Sequence, residues 1–368
     1  MSPRILILTA AFGEGHNSAA KHLALALEEL GAVSRVEDPC MLGAPVTTRA
    51  LSKGYRLVTT YSPKLWEVLY KHTGDVDFSK QRMPLMRRPE NLVEDLIRDF
   101  APDAIVSTYP LYPYFLDRIF KARGKRIPAY TVVTDSIEVN PAWTQGPADA
   151  WLVTDSDTRA SMVQAGIPAQ KIVETGFPVH PSFSRLPRRP VEDPCDPFDV
   201  IYFTTSKVPH VRRIAKAVLH ASPRTRITLI LGKNVRLLYR KAHEIQSRFP
   251  GRVMLKGWTR RVPQLLSSHH LVIGKAGGAT VHESIAACCP MLVHHLVPGQ
   301  EEGNLELLRR IGGGDYAPGP EAIRSQLTRL LENDAAAWRD MKQALENHGR
   351  HDGALAAARF VLDRLPIT

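Results

Sequence analysis

Short apolar runs alternate along this chain with longer segments whose apolar residues recur at helical spacing. The runs lie at Arg4 to Ala10, Asp103 to Ser107, Ala129 to Thr134, Trp151 to Thr154, Ile172 to Glu174, Asp199 to Phe203, Arg226 to Leu231, Arg252 to Leu255, Leu271 to Ile273 and Met291 to Val293. Short, uniformly apolar runs of this kind are typical of strands buried in parallel sheets. The alternation therefore predicts an α/β protein with doubly wound, Rossmann-like sheets.

A proline-rich, charged stretch at 181–197 interrupts this pattern and is predicted to be a linker. The 368 residues suit two domains of ordinary size. We assign 1–180 to an N-terminal domain, 198–350 to a C-terminal domain, and 351–368 to a final helix that either closes the second domain or returns to the first. Two such domains are expected to face each other across a cleft, with ligands at the carboxyl ends of the strands.

The composition is that of a soluble globular protein, with 44% apolar and 23% charged residues. No apolar stretch approaches the roughly 20 residues of a membrane helix, and the first residues run into a strand without a signal-peptide pattern, so we expect a cytoplasmic protein. The four cysteines have no zinc spacing, and Cys288-Cys289 is expected within a buried helix. We predict structural thiols, no metal site and no permanently bound cofactor.

The formal net charge of +11 indicates an anionic partner or a merely soluble basic surface. No nucleic-acid recognition motif and no array of aromatics between basic residues is present, so nucleic acid is not expected as a partner. Anionic phospholipid heads fit better, because each Lys or Arg near a membrane contributes on the order of 1 kcal/mol of attraction. We therefore expect peripheral binding at the inner face of the membrane.

The segment Gly274 to Glu283 is the strongest indication of a ligand site. An apolar strand ends there in small residues that allow close backbone approach, and a helix begins whose N-terminal amides can hold a diphosphate. Glu283, about one turn into the helix, is placed to accept hydrogen bonds from a ribose diol. The predicted ligand residues of this turn are Lys275, Gly277, Gly278, Ala279, Thr280 and Glu283.

A second loop, Pro298 to Asn304, follows the next apolar strand. Parallel strands deliver such loops to the same edge of the sheet, so Gln300 and Glu301 are placed to bind sugar hydroxyls, with Gly299 and Asn304 beside them. A single glycine-rich turn is often purely structural. Two loops at this separation favour a nucleotide-sugar site.

In the first half, the strand Ile5 to Thr9 leads into the loop Gly13 to His16, and Asn17 or Ser18 is predicted to cap the helix that follows. The neutral imidazole of His16, beside Gly15, can take the proton of an acceptor hydroxyl as that oxygen attacks a sugar carbon. A purely structural loop histidine is the alternative. Asp135, after another strand, is placed to orient His16, to bind the acceptor, or only to cap a turn.

Asp155-Ser156-Asp157 has the Asp-x-Asp form of the metal-binding motif of one glycosyltransferase architecture. These residues immediately precede a helical pattern, where aspartate and serine are favoured as caps and first-turn residues. We therefore interpret them as a helix start.

The segment from Arg49 to Thr73 mixes aromatic, aliphatic and basic side chains. Tyr55, Lys64, Trp66 and Tyr70 belong to this mixture, which is typical of segments that rest in a lipid interface. A helix packed on its own domain, with its basic residues in solvent, explains the composition equally well.

Together these residues resemble glycosyltransferases of the family that contains monogalactosyldiacylglycerol synthase, bacterial processive diacylglycerol glucosyltransferases and, more distantly, the peptidoglycan-precursor N-acetylglucosaminyltransferase. The matching segments occur in the same order over most of the chain. They are Gly15-His16, Pro63 to Trp66 with Tyr70, Val133 to Asp135 with Trp143, Thr175 to Val179, Lys275 to Gly277 with Glu283, and Pro298 to Glu301.

The resemblance implies a GT-B fold, a UDP-sugar donor, inversion at the anomeric carbon and a diacylglycerol-type acceptor at the membrane surface. It assigns His16 as the base, Glu283 as the ribose ligand, Gln300 and Glu301 as sugar ligands, and the Gly257-Trp258 turn as the neighbour of the uracil. It also makes 63–70 part of the lipid-acceptor region. This architecture needs no metal, because helix dipoles and amides stabilise the departing diphosphate.

The chain departs from its relatives at two places. Thr204 to His210 replaces a glycine-rich loop, where Lys207 is a candidate diphosphate contact, and Asn140 stands where relatives usually have a histidine. A soluble or isoprenoid-linked acceptor, a catalytically silent nucleotide-sugar sensor or membrane adaptor, and an epimerase are therefore kept as alternatives. Glucose, galactose and N-acetylglucosamine all fit the donor pattern. The sequence also leaves processivity and oligomeric state open.

Overall fold

The protein contains two parallel, six-stranded sheets with helices between successive strands. The computed structural model describes residues 2–62, 86–205, 208–299 and 301–365. The strand orders are β2-β1-β3-β4-β5-β6 and β12-β11-β10-β7-β8-β9. In each sheet the order reverses beside the first strand, as in doubly wound folds. The predicted α/β fold class is confirmed.

The strands are β1 Arg4–Leu8, β2 Val33–Glu37, β3 Ala104–Ser107, β4 Ala129–Val132, β5 Ala150–Val153, β6 Ile172–Glu174, β7 Phe198–Phe203, β8 Thr225–Gly232, β9 Val253–Gly257, β10 Leu271–Lys275, β11 Met291–His295 and β12 Gly314–Tyr316. The α-helices are α1 Glu14–Glu29, α2 Pro39–Gly43, α3 Pro45–Tyr61, α4 Arg87–Phe100, α5 Tyr112–Arg123, α6 Ala142–Gln145, α7 Ser156–Gln164, α8 Val208–Ala221, α9 Val235–Arg248, α10 Val262–Ser268, α11 Gly278–Ala286, α12 Glu302–Arg310, α13 Gly319–His348 and α14 Gly353–Leu362.

Two strands, β2 and β12, were not predicted, and both are edge strands. Strand β2 has the sequence Val-Ser-Arg-Val-Glu, and none of its residues is fully buried. An edge strand pairs on one side only and needs no continuous apolar run. Its polar sequence therefore resembled a loop, whereas each inner strand matched a predicted apolar run within a few residues.

Contacts divide the chain into two compact units. The first comprises 1–181, 297–303 and 352–368, and its core joins strand residues such as Ile5 and Ile7 to Leu23 of α1 and to Leu355 and Val361 of α14. The final helix therefore belongs to the core of the first unit. Its start lies so close to the backbone that a Cβ at Gly353 would collide with the carbonyl of Phe177.

The second unit comprises 182–296 and 304–351. Its core packs strand residues such as Tyr202 and Leu229 against helix residues such as Ile214, Leu238 and Trp338. The linker predicted at 181–197 begins with a short 3₁₀ helix, Pro181–Ser184, and then lies against this unit. The Arg189 guanidinium there donates a hydrogen bond of 3.0 Å to the carbonyl of Ser268.

Two local predictions were wrong. Helix α1 begins at Glu14 with Gly13 as its N-cap, so Asn17 lies inside the helix, where its Oδ1 accepts a 3.0 Å hydrogen bond from Thr9. Cys288 and Cys289 follow α11 in a turn rather than lying within a helix. All four cysteines are buried, free thiols.

Candidate active site

His16 lies in the first turn of α1, at the carboxyl end of β1, and is buried. The backbone around it is fixed by a neighbouring strand end, because Thr108 Oγ1 donates a hydrogen bond of 3.2 Å to the His16 carbonyl. The imidazole itself meets the residue that follows β4: Thr134 Oγ1 lies 3.0 Å from His16 Nδ1. Asp135 was one candidate to orient His16, whereas the side chain at hydrogen-bond distance from Nδ1 is that of its neighbour Thr134.

Aromatic rings enclose the imidazole of His16. Tyr109 meets it edge-on with the ring centroids 5.1 Å apart, and the Trp143 ring lies 5.8 Å away. Phe12 stacks on Tyr109 at 5.7 Å. Burial lowers the pKa of His16 to about 4, and the nearby backbone of Thr108 opposes this only partly. The ring is therefore neutral at physiological pH, which is the form a general base requires.

Asp135 and Asn140 both position Trp143. The Trp143 indole donates a 2.8 Å hydrogen bond to Asp135 Oδ2. Asn140 Oδ1 accepts one of 2.9 Å from the amide of Ala142, and its carbonyl accepts from the Trp143 amide, so Asn140 binds the first amides of the short helix α6. Both residues thus contribute to the aromatic wall beside His16. Asp155, in contrast, caps α7 by accepting from the Thr158 amide, as predicted.

Helix α3 buries polar side chains and exposes apolar ones, which is the reverse of an ordinary surface helix. Its inner face is polar: Thr48 and Ser52 are buried and donate hydrogen bonds to the carbonyls of Cys40 and Ala11. Its outer face includes Val46 and Leu57, which are 78% and 49% exposed. Soluble helices normally bury their apolar face. The exposed apolar face therefore indicates an interaction surface next to the loop that leads into His16.

The predicted ligand-binding turn lies in the second unit, between β10 and α11. Gly277 is the N-cap of α11, and no side chain caps this end of the helix. Its first amides are therefore available for an anion, and the helix dipole adds to the attraction. The predicted residues Gly278, Ala279 and Thr280 form the first turn, and Lys275 is exposed at the end of β10.

Glu283 lies on the same helix and is partly buried. Desolvation raises the pKa of its carboxyl group to about 7. Close to neutrality the group therefore exchanges between a carboxylic acid and a carboxylate. A carboxylate in this environment is a strong acceptor for the paired hydroxyls of a ribose.

Several buried groups hold the turn and α11 in place. The Asn304 amide donates a 3.0 Å hydrogen bond to the carbonyl of Ala276, so Asn304 supports the turn directly. At the far end of the helix, the buried ammonium of Lys342 donates to the Cys288 carbonyl at 2.9 Å. His351 Nδ1 lies 3.0 Å from the Ala286 carbonyl. These contacts fix the direction in which the amino end of α11 points.

The loop after β11 packs with the first unit. Glu301 is buried, and its Oε2 accepts a 2.9 Å hydrogen bond from the amide of Val297. A Cβ at Gly303 would collide with the carbonyl of Ser136. Gly299 has a φ of 77°, which favours glycine. Glu301 thus holds the conformation of the predicted sugar-binding loop through a hydrogen bond to its backbone. Gln300 lies outside the described residues.

Gly257 ends β9, and Trp258 follows it with 57% of the residue exposed. The Arg260 guanidinium lies 5.6 Å from the centre of the Trp258 ring. An exposed, rigid aromatic ring at the carboxyl end of a parallel strand is suited to stack on a planar base. In the altered loop after β7, Thr204 donates to the Ile230 carbonyl at 2.9 Å, whereas Lys207 lies outside the described residues.

One cluster in the described residues has the composition of a metal site: Asp193, Cys195 and His270. Its hydrogen bonds point to another role. His270 Nδ1 accepts from the Asp199 amide at 2.9 Å, so the ring proton sits on Nε2, which donates to Asp193 Oδ1 at 2.9 Å. Nε2 therefore has no free lone pair for a metal. Arg189 also pairs with Asp193 at 2.8 Å, and the cluster fastens the linker to the second unit.

The structure places the predicted residues in several regions. Trp143 and Gly15 lie beside His16 in the first unit, and Asp135 and Asn140 position Trp143. A second group lies on the β10–α11 turn of the second unit, Trp258 follows β9, and Gly299 and Glu301 lie in a loop of the first unit. Tyr55 is on α3, whereas Lys64, Trp66 and Tyr70 lie outside the described residues. Thr108, Tyr109 and Thr134 were not predicted as contacts of His16. Their signal was their position directly after buried strands, where parallel sheets deliver side chains to a ligand edge.

Comparison with known proteins shows which family this chain is similar to. The family model for monogalactosyldiacylglycerol (MGDG) synthase matches residues 16–179. A processive diacylglycerol beta-glucosyltransferase from Bacillus cereus is 26% identical over 380 residues, which cover 96% of this chain and 92% of the relative. A relative of the same name from Bacillus thuringiensis shows the same identity and coverage.

Solved structures match the fold over nearly the whole chain. MurG from Acinetobacter baumannii has a TM-score of 0.63 at 14% identity, with 98% of this chain and 99% of MurG covered. LpCGTa, determined in complex with UDP, has a TM-score of 0.62 at 14% identity and complete coverage of both chains. The resemblance to the monogalactosyldiacylglycerol synthase and processive diacylglycerol glucosyltransferase family is therefore confirmed, and the chain is a glycosyltransferase with the GT-B fold.

Proposed function

We propose that this enzyme transfers a hexose from a UDP-sugar to a diacylglycerol-type lipid at a membrane surface, with inversion at the anomeric carbon. The observation that carries the proposal is the buried, neutral imidazole of His16 at a strand end, in a chain that also has an uncapped helix start beside Glu283. The names of the relatives, which are diacylglycerol glucosyltransferases, support the acceptor class.

On the donor side, the first amides of α11 bind the diphosphate, and the Glu283 carboxylate accepts hydrogen bonds from the ribose. Trp258 lies beside the uracil. Gln300 and Glu301 belong to the loop that contacts the sugar. The structural neighbour determined with UDP shares this fold, which supports a uridine nucleotide as the ligand.

In the reaction, the acceptor hydroxyl oxygen attacks the anomeric carbon from the face opposite the leaving group. The bond between that carbon and the diphosphate oxygen breaks, and its electron pair leaves with UDP. His16 takes the proton of the hydroxyl, while the amides and positive end of the α11 dipole stabilise the charge on the departing diphosphate. One displacement of this kind inverts the anomeric configuration.

The outer face of α3 supports action at a membrane. Val46, Lys53 and Leu57 recur at intervals of seven and four residues and share one exposed face, and Arg49 is exposed beside them. Apolar side chains mixed with cations suit an anionic lipid interface. In the described part of the chain, no helix has the combined length and apolarity of a membrane span.

The proposal is tested by incubating the purified enzyme with a panel of UDP-sugars and a total lipid extract, followed by mass spectrometry of the products. We expect UDP release coupled to a hexosylated diacylglycerol. Transfer only to a soluble or isoprenoid-linked acceptor would replace the lipid assignment. Binding of UDP-sugar without UDP release would contradict catalysis, and sugar interconversion without an acceptor would indicate an epimerase.

Donor binding should depend on pH through Glu283. Because the pKa of its carboxyl is raised to about 7, the accepting carboxylate becomes more populated as the pH rises from 6 to 8. We expect the affinity for the UDP-sugar donor to increase about tenfold over this range in the wild type. Isothermal titration calorimetry at several pH values measures it.

The Glu283→Gln variant should bind more weakly at pH 8 and lose most of this pH dependence. Glu321→Gln, at an exposed position on α13 of the same unit, is the matched control and should behave like the wild type. An unchanged pH dependence in Glu283→Gln would show that another group controls donor binding.

Membrane binding should depend on the outer face of α3. Replacing Val46 and Leu57 together by aspartate removes two apolar contacts and adds like charge to an anionic surface, so we expect binding to phosphatidylglycerol-containing vesicles to fall about tenfold or more. Vesicle sedimentation measures it. Val163→Asp, at an exposed valine of α7, serves as control. Equal binding by all three proteins would rule out this face.

A further inference from the structure

Thr134 is the polar side chain that contacts the imidazole of the proposed base. It lies just beyond the carboxyl end of β4 and is buried, and its Oγ1 is 3.0 Å from His16 Nδ1. The ring cannot easily turn away from this contact, because Tyr109 and Trp143 flank it at 5.1 and 5.8 Å. The fold therefore holds the Thr134 hydroxyl and the His16 imidazole in contact.

The protonation pattern of this pair decides whether His16 can act as a base. A neutral imidazole carries one proton. If Nδ1 carries it and donates to Thr134, the lone pair of Nε2 is free to take a proton from an acceptor. If Nε2 carries it, Nδ1 accepts from the threonine hydroxyl, and Nε2 has no lone pair to offer.

The reaction itself favours the first arrangement. Once Nε2 has taken a proton, Nδ1 also carries one and needs an acceptor, and the threonine oxygen supplies it at hydrogen-bond distance. In catalytic triads a carboxylate fills this place and stabilises the imidazolium with a full charge. A hydroxyl has only a dipole, which fits a ring that remains neutral far below the usual pKa of histidine.

We propose that Thr134 is a positioning residue that accepts a hydrogen bond from Nδ1–H of His16 and thereby leaves Nε2 free to receive the proton of the acceptor hydroxyl. This inference rests on the proposed function for its catalytic consequence. The tautomer itself is a property of the resting enzyme and can be measured without turnover.

The tautomer is tested by nitrogen-15 NMR of protein labelled at histidine, with the His16 signals assigned by their absence from His16→Gln. We expect the shifts of an Nδ1–H imidazole in the wild type and in Thr134→Ser, and a change toward the commoner Nε2–H form in Thr134→Val. An Nε2–H spectrum in the wild type would overturn the proposal, whatever the reaction catalysed.

Kinetics supply the second readout. Thr134→Val removes a hydrogen bond to a ring that becomes charged in the transition state, so we expect kcat to fall about 10- to 100-fold with little change in KM for the donor. Thr134→Ser should restore kcat to within a few-fold. Thr131→Val, the same change on a buried threonine of β4, controls for packing. Wild-type kcat in Thr134→Val would overturn the catalytic role.

Discussion

Replacement of His16 by glutamine is expected to reduce glycosyl transfer about 100- to 10,000-fold, which is the usual contribution of a general base. The variant keeps a side chain of similar size in the ring pocket but cannot take a proton from the acceptor. Since the residues proposed to bind UDP lie on the β10–α11 turn of the second unit, we expect UDP binding to be unchanged. Initial rates of UDP release and calorimetric titration with UDP measure the two effects.

His22 offers a matched control on the same helix. Like His16, it is buried in α1, and desolvation, followed by the charge of His180, lowers its pKa to about 4. Its Nδ1 lies 3.3 Å from the carbonyl of Pro178, away from the strand end at Thr134. His22→Gln should therefore retain transfer. Full activity in His16→Gln, with the same acceptor, would reject His16 as the base.

The folded protein should lose stability steeply as the pH falls from 6.5 toward 4. Desolvation lowers the pKa of His16, His22, His270 and His294 to about 4 each. Unfolded histidines take up a proton near pH 6.5, whereas these folded ones do so only near 4, so the stability that they contribute is fully present above 6.5. Each one accounts for about 3 kcal/mol by pH 4.

The combined loss is large beside the 5–15 kcal/mol that stabilises a typical domain. Glu283, with its pKa raised to about 7, works in the opposite direction, because the folded state takes up its proton first. It offsets part of the loss in the second unit, which contains His270 and His294. Urea titrations at pH 7.5 to 4.5, followed by fluorescence and circular dichroism, measure the loss of stability.

Substitutions separate this effect from general acid sensitivity. His22→Gln removes one titrating group. The slope of the unfolding free energy against pH between 6 and 4.5 should therefore decrease by about 1.4 kcal/mol per pH unit, which corresponds to one proton. His243→Gln, at an exposed position of α9, should leave the slope unchanged. A stability that stays level from pH 6.5 to 4.5 would contradict the burial of neutral histidines.

The inner strands and the ligand loops could be read from the sequence because their physical requirements are local. A strand buried on both faces, such as Ile5 to Leu8, needs an unbroken apolar run, and a loop that binds phosphate needs small residues before a helix. These local patterns determined the α/β class, the position of His16 at a strand end and the turn before Glu283. The edge strands β2 and β12 have no such requirement and were missed, whereas the edge strands β6 and β9 were predicted.

Only the tertiary structure decided which side chains meet. Thr134 and His16 are 118 residues apart in sequence, and no local pattern shows that the threonine, rather than Asp135, lies on Nδ1. The pKa shifts of His16 and Glu283 arise from burial by distant segments, which periodicity does not specify. The exposed apolar face of α3 likewise depends on the tertiary structure, because the sequence pattern does not show that Thr48 and Ser52 are buried. The sequence determined the positions of His16 and Glu283 at strand and helix ends. Their hydrogen-bond partners and pKa values depend on tertiary packing.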